Sequence, residues 1–464
     1  MKKKIIFIIV YMVVCVVPFA TLWFMKNDTS AQEKRELAAF PKLAENGAPN
    51  TEFFTQFDDW FADHLGLRSY LITAQTAVKE YLFAESAEPT VVLGKNGWLF
   101  YEKTVDDYCH VATLSGRNAD NVAYSLKLLQ EYCNAQGADF VFTVAPNKNT
   151  LYSENMPDRY VKLSGDSNLQ KLELSLGYYG VPYADLKAAF LNDGRCLYQP
   201  RDSHWTYEGA MLAYRTILEK LSSKHDIFQG ITYTERRDWD ADLVNMLYPD
   251  AADDDPQVYP NLEWSFVVKG DTVYDEALVI ETLAGSGEGS ILMFRDSFGN
   301  TMWRYFAESF EKADFERAFP YRMSFVDRIG ANAVVIEIVE RNLINLAEKA
   351  PVMKAPKRDI QITDAYDMSG HPNCMKTGES AGLLHVYGTI DPELLGERYR
   401  VYLVVEEEDG KAFFEAFPIC EKELLDEPQT GDNGFSGYLP AEFNGSSIGV
   451  LVYTDDKYYY QQFR

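Results

Sequence analysis

Two short stretches, far apart in the chain, hold side chains that can do nucleophilic chemistry. Arg201-Asp202-Ser203-His204-Trp205 offers a carboxylate and an imidazole separated by one residue. Ile291-Leu292-Met293-Phe294 is an apolar run that ends at Arg295-Asp296-Ser297-Phe298-Gly299. A serine hydroxyl is a weak nucleophile until a base takes its proton. That base, an imidazole, needs a carboxylate to fix its tautomer and stabilise the imidazolium. Ser297, His204 and Asp202 are the candidates for the three roles. A serine placed where a strand turns into a helix has an exposed oxygen and free backbone N–H groups beside a developing oxyanion. Each residue alone has a plainer reading: Ser297 and Asp202 as helix caps, His204 as a satisfied structural histidine. Their joint appearance favours the chemical one.

The elements that must carry these residues alternate. Val122, Leu126, Leu129 and Cys133 mark a helix stripe, and Phe140 to Ala145 a short buried strand ending at Pro146-Asn147-Lys148. A helix around Leu169 to Leu176 leads to a strand at Val181 to Ala184, and another helix spans Tyr207 to Leu221. Ile291 to Phe294 is a strand, Met302, Tyr305, Phe306 and Phe310 face one way on a helix, and Ala333 to Ile338 is a last strand. Strands alternating with helices predict a three-layer α/β fold with a parallel sheet, whose ligands gather at the carboxyl ends of the strands. Ser297 and the Asn147-Lys148 turn both sit at such ends. The stretch from His225 to Gly285 breaks the alternation, carries the acidic run Asp253 to Asp255, and reads as an insertion on the rim. Upstream, Phe53, Phe57, Trp60, Phe61 and Leu65 recur at helical spacing, and Tyr70, Ala74, Val78 and Tyr81 continue after a break at Gly66. This stripe is expected to pack on the domain that follows. Val91 to Tyr101 reads as a hairpin turning at Asn96-Gly97. Beyond Pro351 and Pro356 the pattern is strands alone, and predicts a small all-β sandwich whose tyrosines are ordinary strand residues or a sugar platform.

The N-terminus says where the chemistry would happen. Lys2, Lys3 and Lys4 precede an uncharged run from Ile5 to Met25, long enough as a helix to span roughly 30 Å of hydrocarbon. Lysines before the run place the N-terminus in the cytoplasm and the remainder outside. The bulky Phe19 to Phe24 segment offers no small-residue cleavage site, which favours an uncleaved anchor over a signal peptide. The expected organisation is then a cytoplasmic tip and anchor at 1–25, a stalk and amphipathic helical segment at 26–86, the α/β domain at 87–352 and the β domain at 353–464.

Composition bounds the partners. The 464 residues are 47% hydrophobic and 14% aromatic, which excludes general disorder. A net charge of -26 argues against nucleic acid and against docking on anionic lipid, and makes a strongly anionic polymer a less comfortable substrate. Cys15 lies in the apolar N-terminal run, and the other five cysteines show no metal-ligand spacing. They read as small buried hydrophobes, with Cys374 and Cys420 the one pair confined to the C-terminal region. Nothing points to a metal or a cofactor.

The chain resembles the alginate O-acetyltransferase-like branch of the SGNH hydrolase superfamily, the DHHW proteins. The resemblance runs from about Arg35 to Leu346. Asp202-Ser203-His204-Trp205 and Arg295-Asp296-Ser297-Phe298-Gly299 carry it most specifically. Gly94-Lys95-Asn96-Gly97-Trp98-Leu99-Phe100, Pro146-Asn147-Lys148 and Glu340-Arg341 add to it. As in that branch, the Asp/His element precedes the serine, the reverse of most SGNH hydrolases. The resemblance implies a flavodoxin-like SGNH fold and transfer of acetyl groups onto an exported polysaccharide. Ser297 would form the acetyl-enzyme, His204 would be the base and Asp202 its orienter. A multi-pass membrane acyltransferase would be the acetyl donor. The chain departs from the family in having Arg295 where a glycine often precedes Asp-Ser, and no clear match to the usual oxyanion asparagine. Asn147 is the candidate there, with the Ser297 N–H as second donor, and Lys148 and Arg322 are candidates for substrate contact. Two other readings stand beside the acetyltransferase: a carbohydrate esterase that removes acetate, and a catalytically silent glycan-binding or scaffold protein of an export assembly.

Overall fold

The computed structural model describes the chain except for residues 1, 22–28, 31–34, 46–47, 66–67, 84, 222–227, 249–254, 271–274, 363, 409, 425–430 and 464. The central sheet is made from runs too apolar to face water. Asp139–Ala145 (β1), Ser290–Phe294 (β5) and Ala333–Val339 (β7) are buried along almost their whole lengths. Tyr183–Ala184 (β2), Val267–Val268 (β3), Val279–Leu283 (β4) and Lys312–Glu316 (β6) complete it. Its order is β3-β4-β6-β5-β7-β1-β2. The alternation of side chains divides the core into two layers. Phe140, Phe142 and Val144 pack with Leu292, Phe294, Val334 and Ile336 under helices Gly116–Ala135 (α1) and Asn168–Tyr179 (α2). Val141, Ala145, Ile291, Met293 and Val335 point the other way, toward Tyr207–Leu218 (α3) and Trp303–Ser309.

The parallel sheet expected from the sequence holds for five strands, β6-β5-β7-β1-β2. It fails at the edge, where β4 runs antiparallel to β6 and β3 antiparallel to β4. Both edge strands come from the stretch read as a rim insertion. Along β4, Ile280 and Thr282 are buried while Val279 and Leu283 are exposed, the pattern of a strand with one face in water. The hairpin forms as expected, with Val91–Leu93 paired to Leu99–Tyr101 and positive φ at Asn96 and Gly97. The upstream helices are Phe53–His64 and Arg68–Phe83, on either side of residues outside the described set. Phe57 and Trp60 gather around Phe40, and no residue of the first of these helices is fully buried; the second helix meets the following domain at Tyr248, whose hydroxyl donates to Glu80.

Beyond Val352 the described residues form strands and short 3-10 turns. Leu383–Thr389 (β9) is flanked by Cys374–Ser380 (β8) and Gly434–Pro440 (β12) in one sheet. Tyr399–Glu407 (β10), Gly410–Ala416 (β11), Ile448–Thr454 (β13) and Lys457–Gln462 (β14) form the body of the other, whose edges are residue pairs 357–358 and 366–367. Val386, Leu439, Val401, Leu403, Val450 and Val452 share one core between the two sheets. The outer face of the larger sheet docks on α1. The Tyr124 hydroxyl donates to Glu415, Arg358 bonds Glu415 at 2.5 Å and Glu131 at 2.6 Å, and the Arg400 guanidinium lies 3.3 Å from the Tyr124 ring centre. Cys374 and Cys420 are free thiols, as are Cys109, Cys133 and Cys196.

The N-terminal helix spans Lys2–Thr21. Its uncharged part, from Ile5 to Thr21, rises about 25 Å at about 1.5 Å per residue, short of a roughly 30 Å hydrocarbon core. Among the described residues no helix is long and apolar enough to cross a membrane. The expected span continued to Met25, and residues 22–25 lie outside the described set.

The docking of the β sheets on α1 makes a stability prediction. Glu415→Ala strands the Tyr124 hydroxyl and one face of Arg358, and should cost about 2 kcal/mol, a buried-pair loss reduced by the partial exposure of Arg358. Urea unfolding should show a lower midpoint, with Glu415→Gln recovering part of it; an unchanged midpoint would remove this contact from the account of stability.

Candidate active site

Ser297 follows β5 after Arg295 and Asp296, at the carboxyl edge of the sheet, and begins the short 3-10 turn Phe298–Thr301. Its hydroxyl makes no capping bond to that turn. Asp296 takes that work: Oδ1 accepts the Phe298 N–H at 2.9 Å, and Oδ2 accepts the Val339 N–H of β7 at 2.7 Å. Gly299 is required by crowding, because a Cβ there would come within 2.7 Å of the Arg295 side chain. Arg295, buried under the turn, donates to Asn300 Oδ1 at 2.6 Å and to the Asp275 carbonyl at 2.8 Å. Burial pushes its guanidinium down to about 10.

Asp202 and His204 reach the serine from the loop before α3. The cap of that helix is Thr206, whose hydroxyl accepts the Gly209 N–H at 3.1 Å, so Asp202 is not spent as a cap. Trp205 ties the two motifs together. It is fully buried, its indole donates to Thr301 Oγ1 at 2.9 Å, and its ring meets Phe298 edge-on at 4.9 Å. With that pin in place, His204 Nε2 lies 2.9 Å from Ser297 Oγ, and His204 Nδ1 lies 2.8 Å from Asp202 Oδ1. The second bond puts the ring proton on Nδ1 and leaves Nε2 to accept from the serine.

Asp202 is buried with both oxygens engaged. Oδ1 also accepts the His204 N–H at 2.8 Å, and Oδ2 accepts the Asp242 N–H at 2.9 Å and the Trp239 indole at 3.1 Å. Burial opposes its charge, but the bonds and charge of His204 and these backbone donors hold it well below the usual carboxylate range. Burial alone would lower His204; the hydrogen bond and charge of Asp202, with Asp242 behind them, raise it instead. Asp242 is a second acid at the imidazole, with Oδ2 3.6 Å from Nδ1. It accepts from Ser203 through both its oxygens, and burial and the Asp202 charge push it upward. Asp202, His204 and Asp242 present ligand atoms within 4.8 Å of one another, the kind of donor set that can hold a cation. Those atoms are already engaged by the Nδ1 proton and the Ser203 hydroxyl.

Sequence reasoning missed Trp239 and Asp242. They lie in the stretch read as a rim insertion, Asp242 opening the helix Asp242–Leu247, and nothing in their spacing links them to Asp202. The cleft beside His204 and Ser297 has a volume of about 330 Å³ and is walled by that stretch and by Tyr207, Asn300 and Thr301.

The three residues expected to bind stand elsewhere. Asn147 donates its amide to Asp107 Oδ2 at 2.9 Å, while its Oδ1 accepts the Arg341 N–H at 3.3 Å. It is 1% exposed and does not line the cleft, so that amide does not point at Ser297. Its partner Asp107 is pushed up to about 8 by burial and by Glu340. Lys148 is buried and gives its ammonium to the carbonyls of Gln199, Pro200 and Asp202, at 3.1, 3.1 and 2.5 Å; burial pushes it down to about 8. It holds the Asp202 loop rather than a ligand. Arg322 is exposed, bridged to Val352, and away from the cleft.

A family model described as an SGNH hydrolase-like domain of the acetyltransferase AlgX matches residues 91–245, which include Asp202 and His204. Over these residues the chain is similar to the SGNH hydrolase-like domain of alginate acetyltransferases. It is 25% identical over 193 residues to the probable alginate O-acetylase AlgJ of Pseudomonas syringae pv. tomato, covering 41% of this chain and 48% of that one. It is 27% identical over 150 residues to the protein of the same name from Pseudomonas aeruginosa, covering 32% and 36%. The chain thus spans half or less of the curated relatives it matches. Among solved structures, Bacillus cereus PatB1 superposes with a TM-score of 0.42 at 16% identity, over 55% of this chain and 96% of that one.

The two acids at His204 make a prediction. Asp242→Asn removes a negative charge from Nδ1, so the His204 ring should titrate at a lower pH than in the parent chain. NMR titration of the six histidines resolves it, and a midpoint that stays or rises would take Asp242 out of the electrostatics of the imidazole.

Proposed function

We propose that this protein is an O-acetyltransferase of SGNH type that esterifies a polysaccharide outside the cytoplasm through an acetyl-serine intermediate. The observation that carries the reading is the unbroken hydrogen-bond chain from Asp202 through His204 to Ser297, opening on a cleft. Ser297 Oγ attacks the acetyl carbonyl as His204 Nε2 takes its proton, and the imidazolium is held against Asp202. Collapse of the tetrahedral intermediate expels the donor's oxygen with that proton. A sugar hydroxyl then repeats the sequence in reverse, giving its proton to His204 and taking the acetyl group. The Ser297 N–H stands at the developing oxyanion. Asn300, which lines the cleft and has its Oδ1 fixed by Arg295, replaces Asn147 as the second donor through Nδ2. The similarity to probable alginate O-acetylases supports acetyl transfer, and the polysaccharide, the acetyl donor and the anchored placement come with that reading. If water in place of sugar resolves the acetyl-serine, the same residues make a deacetylating esterase.

Ser297→Ala should lower acetate release from an acetyl-ester surrogate by roughly 10⁴-fold or more, and His204→Ala nearly as much, because members of such a unit are not additive. Asp202→Ala should be less severe by roughly tenfold to a hundredfold, since the imidazole still acts, less well oriented. In cells, Ser297→Ala should leave the protein abundant and its glycan under-acetylated. Unchanged acetylation in that strain moves the assignment to a binding or scaffold role, and lost esterase activity with more polymer acetate moves it to a deacetylase.

The lysines at 2–4 and the apolar run after them support a cytoplasmic tip with the bulk outside. Protease added to spheroplasts should therefore degrade the chain past Asn27; a full-length chain recovered soluble from the cytosol would refute this placement.

A further inference from the structure

We propose that the glycan entering the cleft carries no acid groups, so that its sugars are neutral or amine-bearing and not uronic acids. This rests on the acetyl-transfer reading and names the acceptor class for the same site. The cavity of about 330 Å³ beside His204 and Ser297 is lined by six carboxylates, Asp238, Asp240, Asp275 and Glu276 as well as Asp202 and Asp242, and among the described residues by no lysine or arginine. An ionised carboxylate only accepts hydrogen bonds. A ligand that fits must bring the donors, as a sugar hydroxyl or an ammonium does and a sugar carboxylate cannot.

The cations nearby are tied to these acids or to other groups and do not line the cavity. Arg304 bonds Asp275 at 2.7 Å, Arg236 reaches Asp238 at 3.5 Å while lying flat on Tyr259 at 3.6 Å, and Arg295 is buried against backbone carbonyls. Arg341 lies between the Tyr101 and Phe298 rings, 5.3 and 5.9 Å from their centres, and does not line the cavity. The rest of the lining suits a sugar. Tyr207 packs edge-on to Trp239 at 6.1 Å and tilted to Tyr259 at 5.2 Å, so three aromatic rings wall the same space as the acids. Apolar faces with a few convergent acceptors are what a hydroxyl-rich, uncharged ring requires. The net charge of -26 adds long-range repulsion of a polyanion.

The test measures binding apart from chemistry. The full chain carrying Ser297→Ala is titrated by calorimetry with hexamers of glucose, glucosamine and mannuronate at two salt concentrations. The neutral and amine-bearing hexamers should bind at least tenfold more tightly than the mannuronate, the amine alone gaining affinity as salt falls. Asp240→Asn with Glu276→Gln should narrow the gap. Mannuronate binding as tightly as the others, or no hexamer binding at all, overturns the proposal. Labelling of Ser297 by a fluorophosphonate in the parent chain keeps the two readings distinguishable. A labelled serine with a mannuronate preference sinks the acceptor class alone. An unlabelled serine with selective neutral binding sinks the chemistry and leaves the acceptor class supported.

Discussion

A carboxylate kept ionised in a dry place needs donors for every lone pair it exposes, and Asp202 obliges much of this molecule to supply them. Left unpaired, such a charge costs several kcal/mol, and a group in that position normally neutralises itself by taking a proton. Here the His204 backbone and ring satisfy one oxygen, and Trp239 and the Asp242 N–H satisfy the other. The loop carrying Asp202 is pinned in turn by Lys148, whose three protons go to three backbone carbonyls. Remove either support and the aspartate would rather be protonated, and the imidazole would lose the charge that orients it. The segment 239–242 is therefore a wall of the site and not a decoration on its rim.

The same logic connects the imidazole to the serine. Nothing in the backbone joins residues 204 and 297; the distance between their side chains is set by Trp205 wedged against Phe298 and bonded to Thr301. An aromatic ring is a good spacer because it is large, stiff and carries one directional donor. The tryptophan of the Asp-x-His-Trp element thus sets the length of the His204–Ser297 hydrogen bond, although it is buried and cannot meet a ligand.

Much of this is legible in the residue pattern. The strands that carry Ser297 and the Asn147 turn are short, mostly apolar runs, and the motifs at their ends are local. What escaped reading did so for physical reasons. Lys312–Glu316 is an interior strand with three charged residues in five, because Arg328 bonds Asp314 at 3.2 Å and Glu316 at 2.8 Å and lets those acids lie in the sheet. No local pattern announces such a partner. Asn147 was placed correctly at a strand end, but a buried amide goes to the neediest acceptor nearby, and that is Asp107. Trp239 and Asp242 are invisible for the converse reason: their importance belongs to the aspartate they satisfy. The antiparallel edge was hidden by the weak, half-exposed alternation of β4.

The strand order has a consequence for how the protein comes into being. β7, at 333–339, lies between β5, which leads to Ser297, and β1, which leads to the lysine that pins the Asp202 loop. A chain is made from its N-terminus, and segments fold as they emerge. The loop bearing Asp202 and His204 is therefore finished long before the strand that closes the sheet between its support and the serine. Until residue 339 has left the ribosome, the central sheet has a gap in its middle and the frame of the three side chains is incomplete. The three side chains therefore gain their complete frame only once the greater part of the chain has been made.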